Sequence, residues 1–446
     1  MMRHSPAAGS RKTPLLAACA LLLAAALLLP ASAAAQMLDP EAYRLLPPEA
    51  TVYAAMRPQL EDGLVPSRKV PVPPPAAGKK AVFLPIPMIG TSPNKGVDMG
   101  LLPVWLLFND DGLVRYIIAP SVDYNTEQGL ILTGRLFSYP NAQRKWFAIA
   151  ERSIEVRQNY EFFYEDYQVC CGHYYLRGWT WFQDDPTSVF YGLGPKSNKD
   201  DQTRYNLREY YGEAFFGWNF CPWRFLLSER LRYVAVQDRG FETGKFVTEL
   251  FPDVPGLGGS FNATHGFAVV FDDRDHPDIP TYGRFAQLWA EASLEPVSND
   301  TFLRYGLEWR HYIPYPSDQF VTAYQLVYTA VSSSKIPFYE QPSLGGDDFR
   351  GFPESRFIGR GKWQANLEER IRVLRMHWFD VDFDVEVAPF IGVGQVFEAE
   401  SKAFADVQPI AGVGFRAVVK PQVVGKVDIG YGGEGVNIFV NLNYPF

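Results

Sequence analysis

Three features of this 446-residue chain predict an all-β fold, a transmembrane antiparallel β-barrel. Segment after segment beyond residue 80 alternates in polarity with a period of two. The long apolar run is confined to the N-terminus, and the last segment alternates up to Phe446. Successive side chains of a strand point to opposite faces, so a period of two gives one apolar and one polar face. A helical membrane bundle needs several apolar runs of about 20 residues. Mean hydropathy here is slightly below zero, and Leu15 to Leu29 is the one such run.

That run has the layout of a secretory signal peptide over residues 1–35. Arg3, His4, Arg11 and Lys12 precede it, and Ala31-Ser32-Ala33 and Ala33-Ala34-Ala35 offer small-residue cleavage sites after it. Leu16-Ala17-Ala18-Cys19 has the pattern of a lipoprotein box, but the apolar region before Cys19 is too short and continues well past it. Cleavage removes Arg3, Arg11 and Lys12, leaving 39 basic against 50 acidic residues, a net charge of −11. Such an acidic chain argues against nucleic acid as a partner. Cys170, Cys171 and Cys221 survive processing. A Cys171–Cys221 bridge, a Cys170–Cys221 bridge and three free thiols all fit an oxidising compartment.

Residues 36–80 hold nine prolines and no apolar periodicity, which reads as an extended periplasmic linker. From Ala81 onward, strand, short turn and strand recur to the end of the chain. From Arg284 the even positions are Arg284, Ala286, Leu288, Ala290, Ala292 and Leu294, and the odd ones are Phe285, Gln287, Trp289, Glu291 and Ser293. Thr301, Leu303, Tyr305, Leu307 and Trp309 alternate with Phe302, Arg304, Gly306, Glu308 and Arg310. A soluble β-sandwich alternates too, so this pattern alone does not say which face is outside. Aromatic residues crowd Tyr160 to Trp181 and read as an interfacial girdle. Residues 81–446 have room for roughly fourteen to sixteen membrane-spanning strands with their turns.

Val436, Ile438, Val440, Leu442, Tyr444 and Phe446 form one face of the last segment, opposite Asn437, Asn441 and Asn443. Leu344 to Arg370 reads LGGDDFRGFPESRFIGRGKWQANLEER. It is a Gly-rich polar loop carrying Arg350, Gly351 and Phe352, followed by a strand with Asn366, Glu368, Arg370 and Arg372 inward. A guanidinium beside a confined lumen needs a carboxylate, because an unpaired buried charge is costly. This stretch resembles the loop signature of the bacterial surface antigen family, the BamA/TamA-type outer-membrane barrels. There an Arg-Gly-aromatic loop folds back into the barrel, and an Asn-x-Glu-x-Arg strand follows. Four further segments resemble that family: Phe190-Tyr191-Gly192-Leu193-Gly194; the turn Asp273-Arg274-Asp275-His276-Pro277 with Pro280 and Gly283; Phe390-Ile391-Gly392-Val393-Gly394; and Gly412-Val413-Gly414-Phe415-Arg416 with Asp428 and Gly430.

The resemblance implies sixteen strands, an Arg-Gly-Phe loop inside the lumen, and Tyr444 and Phe446 as a terminal signal read by the barrel assembly machinery. It implies a member without polypeptide-transport-associated repeats, since 36–80 has no room for one. Gly392 stands where the family usually has an Asp. Glu368 is therefore expected to pair with Arg350, and the stripe Asp380, Asp382 and Asp384, inward on the next strand, to replace the missing acid. Carboxylates at every second position of a strand are about 6–7 Å apart, too far for one cation, so no metal is expected. His276 among its acids reads as a Pro-bounded turn. No hydrolase elbow, zinc motif or phosphate loop is present, so neither a catalytic site nor a cofactor is expected. The function implied is an integral outer-membrane barrel related to protein insertion and translocation factors. Its expected partners are outer-membrane lipid and unfolded outer-membrane protein clients. A passive pore or structural barrel is the alternative.

Overall fold

The computed structural model describes residues 81–92, 96–109, 114–141, 143–155, 157–170, 172–239, 245–276, 279–316, 319–333, 335–378, 381–419, 423–442 and 444–446. The signal peptide and linker expected over 1–80 lie outside the described residues, as do Asp380, the side chain of Asp382, and Cys171.

The strands follow in chain order. The first eight are β1 (Ala81–Ser92), β2 (Gly96–Phe108), β3 (Val114–Ile118), β4 (Ser121–Asn125), β5 (Gly129–Asn141), β6 (Arg144–Ser153), β7 (Gln158–Val169) and β8 (Tyr174–Phe190). Next come β9 (Thr203–Phe220), β10 (Trp223–Gln237), β11 (Lys245–Phe246), β12 (Ser260–Asp272), β13 (Gly283–Ser293), β14 (Phe302–Pro314) and β15 (Phe320–Val331). A long loop holds β16 (Ser343–Leu344) and β17 (Phe357–Ile358), and β18 (Gly361–Trp378), β19 (Val381–Phe397), β20 (Gln408–Val419), β21 (Val423–Tyr431) and β22 (Val436–Leu442) complete the set.

All but β16 and β17 belong to one sheet of 20 strands. Each long strand pairs antiparallel with its predecessor, as short turns require. The two-residue β11 runs parallel to β9. β3 and β4 are two halves of one interrupted strand, both lying between β2 and β5. Leaving out β11 and merging β3 with β4 reduces 20 to 18 staves among the described residues, two more than the sixteen expected. Tight turns such as 221–222 leave more of the chain for strands than the sequence count assumed. At the other end the connections are long: 191–202, 238–259, 332–360 and 398–407.

Side-chain placement settles which face is outside. On β18, Leu367 is 41% exposed, while Asn366, Glu368 and Arg370 are buried. On β13 and β14, Leu288 and Leu307 are exposed, while Ser293 is buried and Arg304 turns toward Glu291. Leu132, Phe162, Leu227, Leu231, Phe267, Leu326 and Ile391 extend the apolar exterior around the sheet. A soluble sandwich has the opposite polarity; a membrane barrel has this one. The aromatic segment divides in the same way. Tyr160 and Phe162 face outward as expected of a girdle. Trp179 and Trp181 instead donate from Nε1 to Glu161 (2.7 Å) and Glu209 (2.9 Å), and Trp181 stacks on Tyr211 at 3.7 Å. Half of that segment therefore lines the interior.

The described residues of the segment between β15 and β18 pack against strands from two parts of the sheet. They touch β10 and β14 through Glu340 and β18 and β21 through Arg350. β1 and β22 lie side by side, with no ladder between them among the described residues.

Candidate functional site

The loop is shaped before it is anchored. β16 and β17 pair Ser343 with Ile358 and Leu344 with Phe357, making a short hairpin. Gly345 starts its tip at φ 127°, and a Cβ there would fall 2.0 Å from the Pro353 carbonyl, so only glycine fits. Phe349 and Phe352 stack with nearly parallel rings and join Leu344, Phe357, Phe390, Val396 and Ile410 in a buried cluster. Burial of such side chains contributes roughly 1.5–3 kcal/mol each. The apolar tip is therefore held against β19 and β20.

Between those two phenylalanines the chain presents Arg350, 2% exposed. Its Nη1 donates to Glu368 Oε2 (2.7 Å) and Asp428 Oδ1 (3.1 Å), and its guanidinium lies 3.8 Å over the Phe390 ring. Arg416 bridges the same two acids, to Asp428 at 2.7 Å and Glu368 at 3.1 Å. Arg370 donates from Nε to Glu368 Oε1 at 3.1 Å. Two buried carboxylates thus meet three guanidiniums, with Lys426 3.9 Å from Asp428. A buried charge network of this kind specifies one position for the loop, because removing one partner strands the others.

The sequence brings Arg350 and Glu368 to one place, but the second acid is Asp428 rather than the Asp384 stripe. Asp384 lies against Arg375 (2.9 Å) and Arg372 (3.7 Å). The reason is height. Asp384 shares the inward face but is six residues from Phe390, about 20 Å along a strand, whereas Asp428 on β21 is level with the loop. Gly392 pairs with Asn366, and a Cβ at 392 would fall 2.5 Å from Asn366 Oδ1. Asn366 is already engaged, donating to the Asp348 carbonyl of the loop at 3.0 Å.

Gly351 and Phe352 sit on a glycine floor. The Gly351 carbonyl accepts from Asn437 Nδ2 at 2.8 Å, and a Cβ at Gly430 would fall 1.9 Å from the Arg350 carbonyl. Gly430 and Gly432 leave space for the loop backbone and the Phe352 ring.

Two more clamps hold the loop. Arg356 makes a bidentate pair with Glu434 (2.7 Å to each oxygen) and donates to the Ser197 carbonyl at 2.8 Å. Glu340 lies 3.3 Å from Arg230 and Arg232 and 3.5 Å from Arg304. Burial pushes the Glu340 carboxyl up, and the Arg232, Arg230 and Arg304 guanidiniums outweigh it, holding the group below the ordinary carboxylate range.

Asp273, Arg274 and Asp275 form a structural turn at the short-turn end. Arg274 makes a bidentate pair with Asp272 (2.8 and 2.9 Å), and Asp273 pairs with Arg284 at 2.6 Å. Asp275 accepts from Thr281 and Tyr282, and His276 Nδ1 accepts from the Ile279 amide at 3.2 Å. This turn is tied to the loop site through Arg370, which also donates to the Pro280 carbonyl (3.1 Å) and the Phe446 oxygen (3.0 Å). The sequence placed Arg370 inward but did not show this role. Tyr444 lies 3.7 Å from the same guanidinium and donates to Glu386 at 2.7 Å. Phe446 is 5% exposed, clustered with Tyr312 and Ala323. The sequence alternation placed it on one face with Val436, Ile438, Val440 and Leu442. The ladder ends at Leu442, however, and the chain turns inward beyond it.

The sequence matches the model of the Omp85 superfamily domain over residues 153–420, well over half of the chain. The chain belongs to the Omp85 superfamily. Together with the apolar exterior of its sheet, this indicates an outer-membrane location. Among solved structures, it is similar to BamA from Haemophilus ducreyi lacking POTRA domains 1–3. The identity is 15% and the TM-score 0.49, covering 81% of this chain and 74% of that one. It is also similar to CdiB from Escherichia coli at 12% identity and TM-score 0.49, covering 74% of this chain and 61% of that one. No curated protein matches it. In this Omp85 chain the Arg350 network is the candidate functional centre.

Proposed function

We propose that the chain closes into an outer-membrane barrel whose lumen is sealed by the 332–360 loop, and that it promotes insertion or transport of protein clients at the junction of its first and last strands. The observation that carries this reading is the loop anchorage: Arg350, Arg356 and Glu340 fix the loop to opposite sides of the sheet. A lumen filled and cross-linked in this way does not suit a passive pore. β22 has 7 residues against 12 for β1, so part of the β1 edge extends past its neighbour. An exposed strand edge is a template for another strand. The proposed role is non-catalytic, with unfolded outer-membrane proteins as clients and the barrel assembly machinery as a partner during the chain's own biogenesis. Residues 1–35 are proposed as a cleaved signal peptide and 36–80 as a periplasmic linker.

Vesicles carrying the folded chain are expected to speed folding of an added urea-unfolded outer-membrane barrel relative to empty vesicles. A disulfide engineered between β1 and β22 should cancel the acceleration. Equal folding rates with and without the chain would leave only a structural barrel.

A further inference from the structure

On β10 and β12 the apolar exterior is interrupted by a charged and a titratable side chain set directly opposite each other. Glu229 on β10 is in register with His265 on β12, and His265 Nδ1 lies 2.7 Å from Glu229 Oε2. Both project outward, their side chains 63% and 57% exposed. Exposed Leu227 and Leu231 flank Glu229 along its strand, and Phe267 follows His265. Trp223 and Phe271 lie toward the short-turn end of these strands, and Tyr233 and Phe261 toward the other. The pair therefore lies between the aromatic collars, where the surroundings are hydrocarbon.

Charged residues on the lipid face of a barrel are costly, and intramembrane ionisable residues point to function. The neighbours are informative as well. Ala214 is in register with Glu229 on one side and Ala292 with His265 on the other. The row Ala214, Glu229, His265, Ala292 is thus a polar centre flanked by methyl groups. Small residues let two membrane-embedded backbones approach closely, and polar groups then hydrogen-bond across the contact.

We propose that this wall, from β9 to β13, is a self-association surface that binds a second copy of the chain about a two-fold axis along the membrane normal. The inference rests on the reading of the chain as a membrane barrel. The pair has the chemistry for a two-fold contact. Seen from outside, the acid is on one side and the imidazole on the other, at nearly the same depth. Strand tilt separates them along the normal by roughly 3 Å. When two identical barrels face each other, Glu229 of each meets His265 of the other, and both contacts form at once. A two-fold interface requires this self-complementarity. A partner with only an acid or only a base would satisfy half of the pair.

Sedimentation equilibrium of the purified, folded full-length chain in density-matched detergent micelles tests the proposal, with heat-modifiable gel migration as the check of folding. Wild type is expected to show a reversible monomer–dimer equilibrium. Glu229→Leu with His265→Leu should keep the folded band and weaken association about ten-fold or more. The exchanged pair, Glu229→His with His265→Glu, restores self-complementarity and should dimerise within a few-fold of wild type. A wild type that stays monomeric at every concentration, or a double-leucine variant that associates as wild type does, would overturn the proposal. So would loss of dimer in the exchanged pair, or a wild-type monomer that co-purifies with a different protein or with lipid held by Glu229 and His265. A wild-type chain with no folded, detergent-resistant band would overturn the barrel reading, and this inference with it.

Discussion

Arg350→Glu is expected to destabilise the folded barrel by about 3–5 kcal/mol, the usual cost of breaking a buried ion pair by changing one partner. The new carboxylate would face Glu368 and Asp428, both with fully buried side chains, where wild type has a cation 2.7 and 3.1 Å away. Arg416 and Arg370 remain, but they are already engaged with the same acids. The stack on Phe390 is lost as well. Urea titration of the heat-modifiable folded band gives the measurement. Arg350→Lys should fall between, since an ammonium keeps the charge but cannot reproduce the planar stack together with both acid contacts. A glutamate variant as stable and as well assembled as wild type would show that the network does not position the loop.

Gly430→Ala should release the loop without altering any charge. Its added methyl would fall 1.9 Å from the Arg350 carbonyl, a backbone atom that cannot rotate away, so either the loop or β21 must move. The loop is the freer of the two. The expected result is a folded barrel with greater ion conductance than wild type. Gly425→Ala, on the same strand with open space around its Cβ position, is expected to leave conductance unchanged. If the two variants behaved alike, the close approach of loop and strand would have no bearing on the seal.

Much of the fold was legible because period-two alternation sorts residues onto two faces. Parity sets Leu367 opposite Glu368 and Leu288 opposite Glu291, and side-chain exposure makes the apolar face the outer one. Parity says which face a residue takes, however, and not its depth in the barrel. That is why Asp384 read as a partner of Arg350 although it lies some six residues along the strand from the loop. Asp428, 78 residues from Arg350, had the right parity and the right depth, and no local pattern joined the two. Its alternation with Lys426 and Gly430 was the available signal. Phe446 misled for a different reason. Extending the alternation past Leu442 assumed that the strand continued, whereas Arg370 and the Tyr312 cluster draw the terminal residues inward. Arg370 itself joins the loop acid, the Asp273–Asp275 turn region and the chain terminus, segments too far apart in sequence for spacing to reveal. The Glu229–His265 pair is the converse case. Both outward parities were readable, but the contact depends on a register between strands that only the structure supplies.

In the proposed function the loop around Arg350 seals the barrel. Single-channel conductance of the refolded chain in planar bilayers tests it most directly, comparing wild type with a deletion of Gly346 to Glu354. Wild type is expected to give a small, flickering current and the deletion a large, steady one. A large, steady current already present in wild type would contradict it.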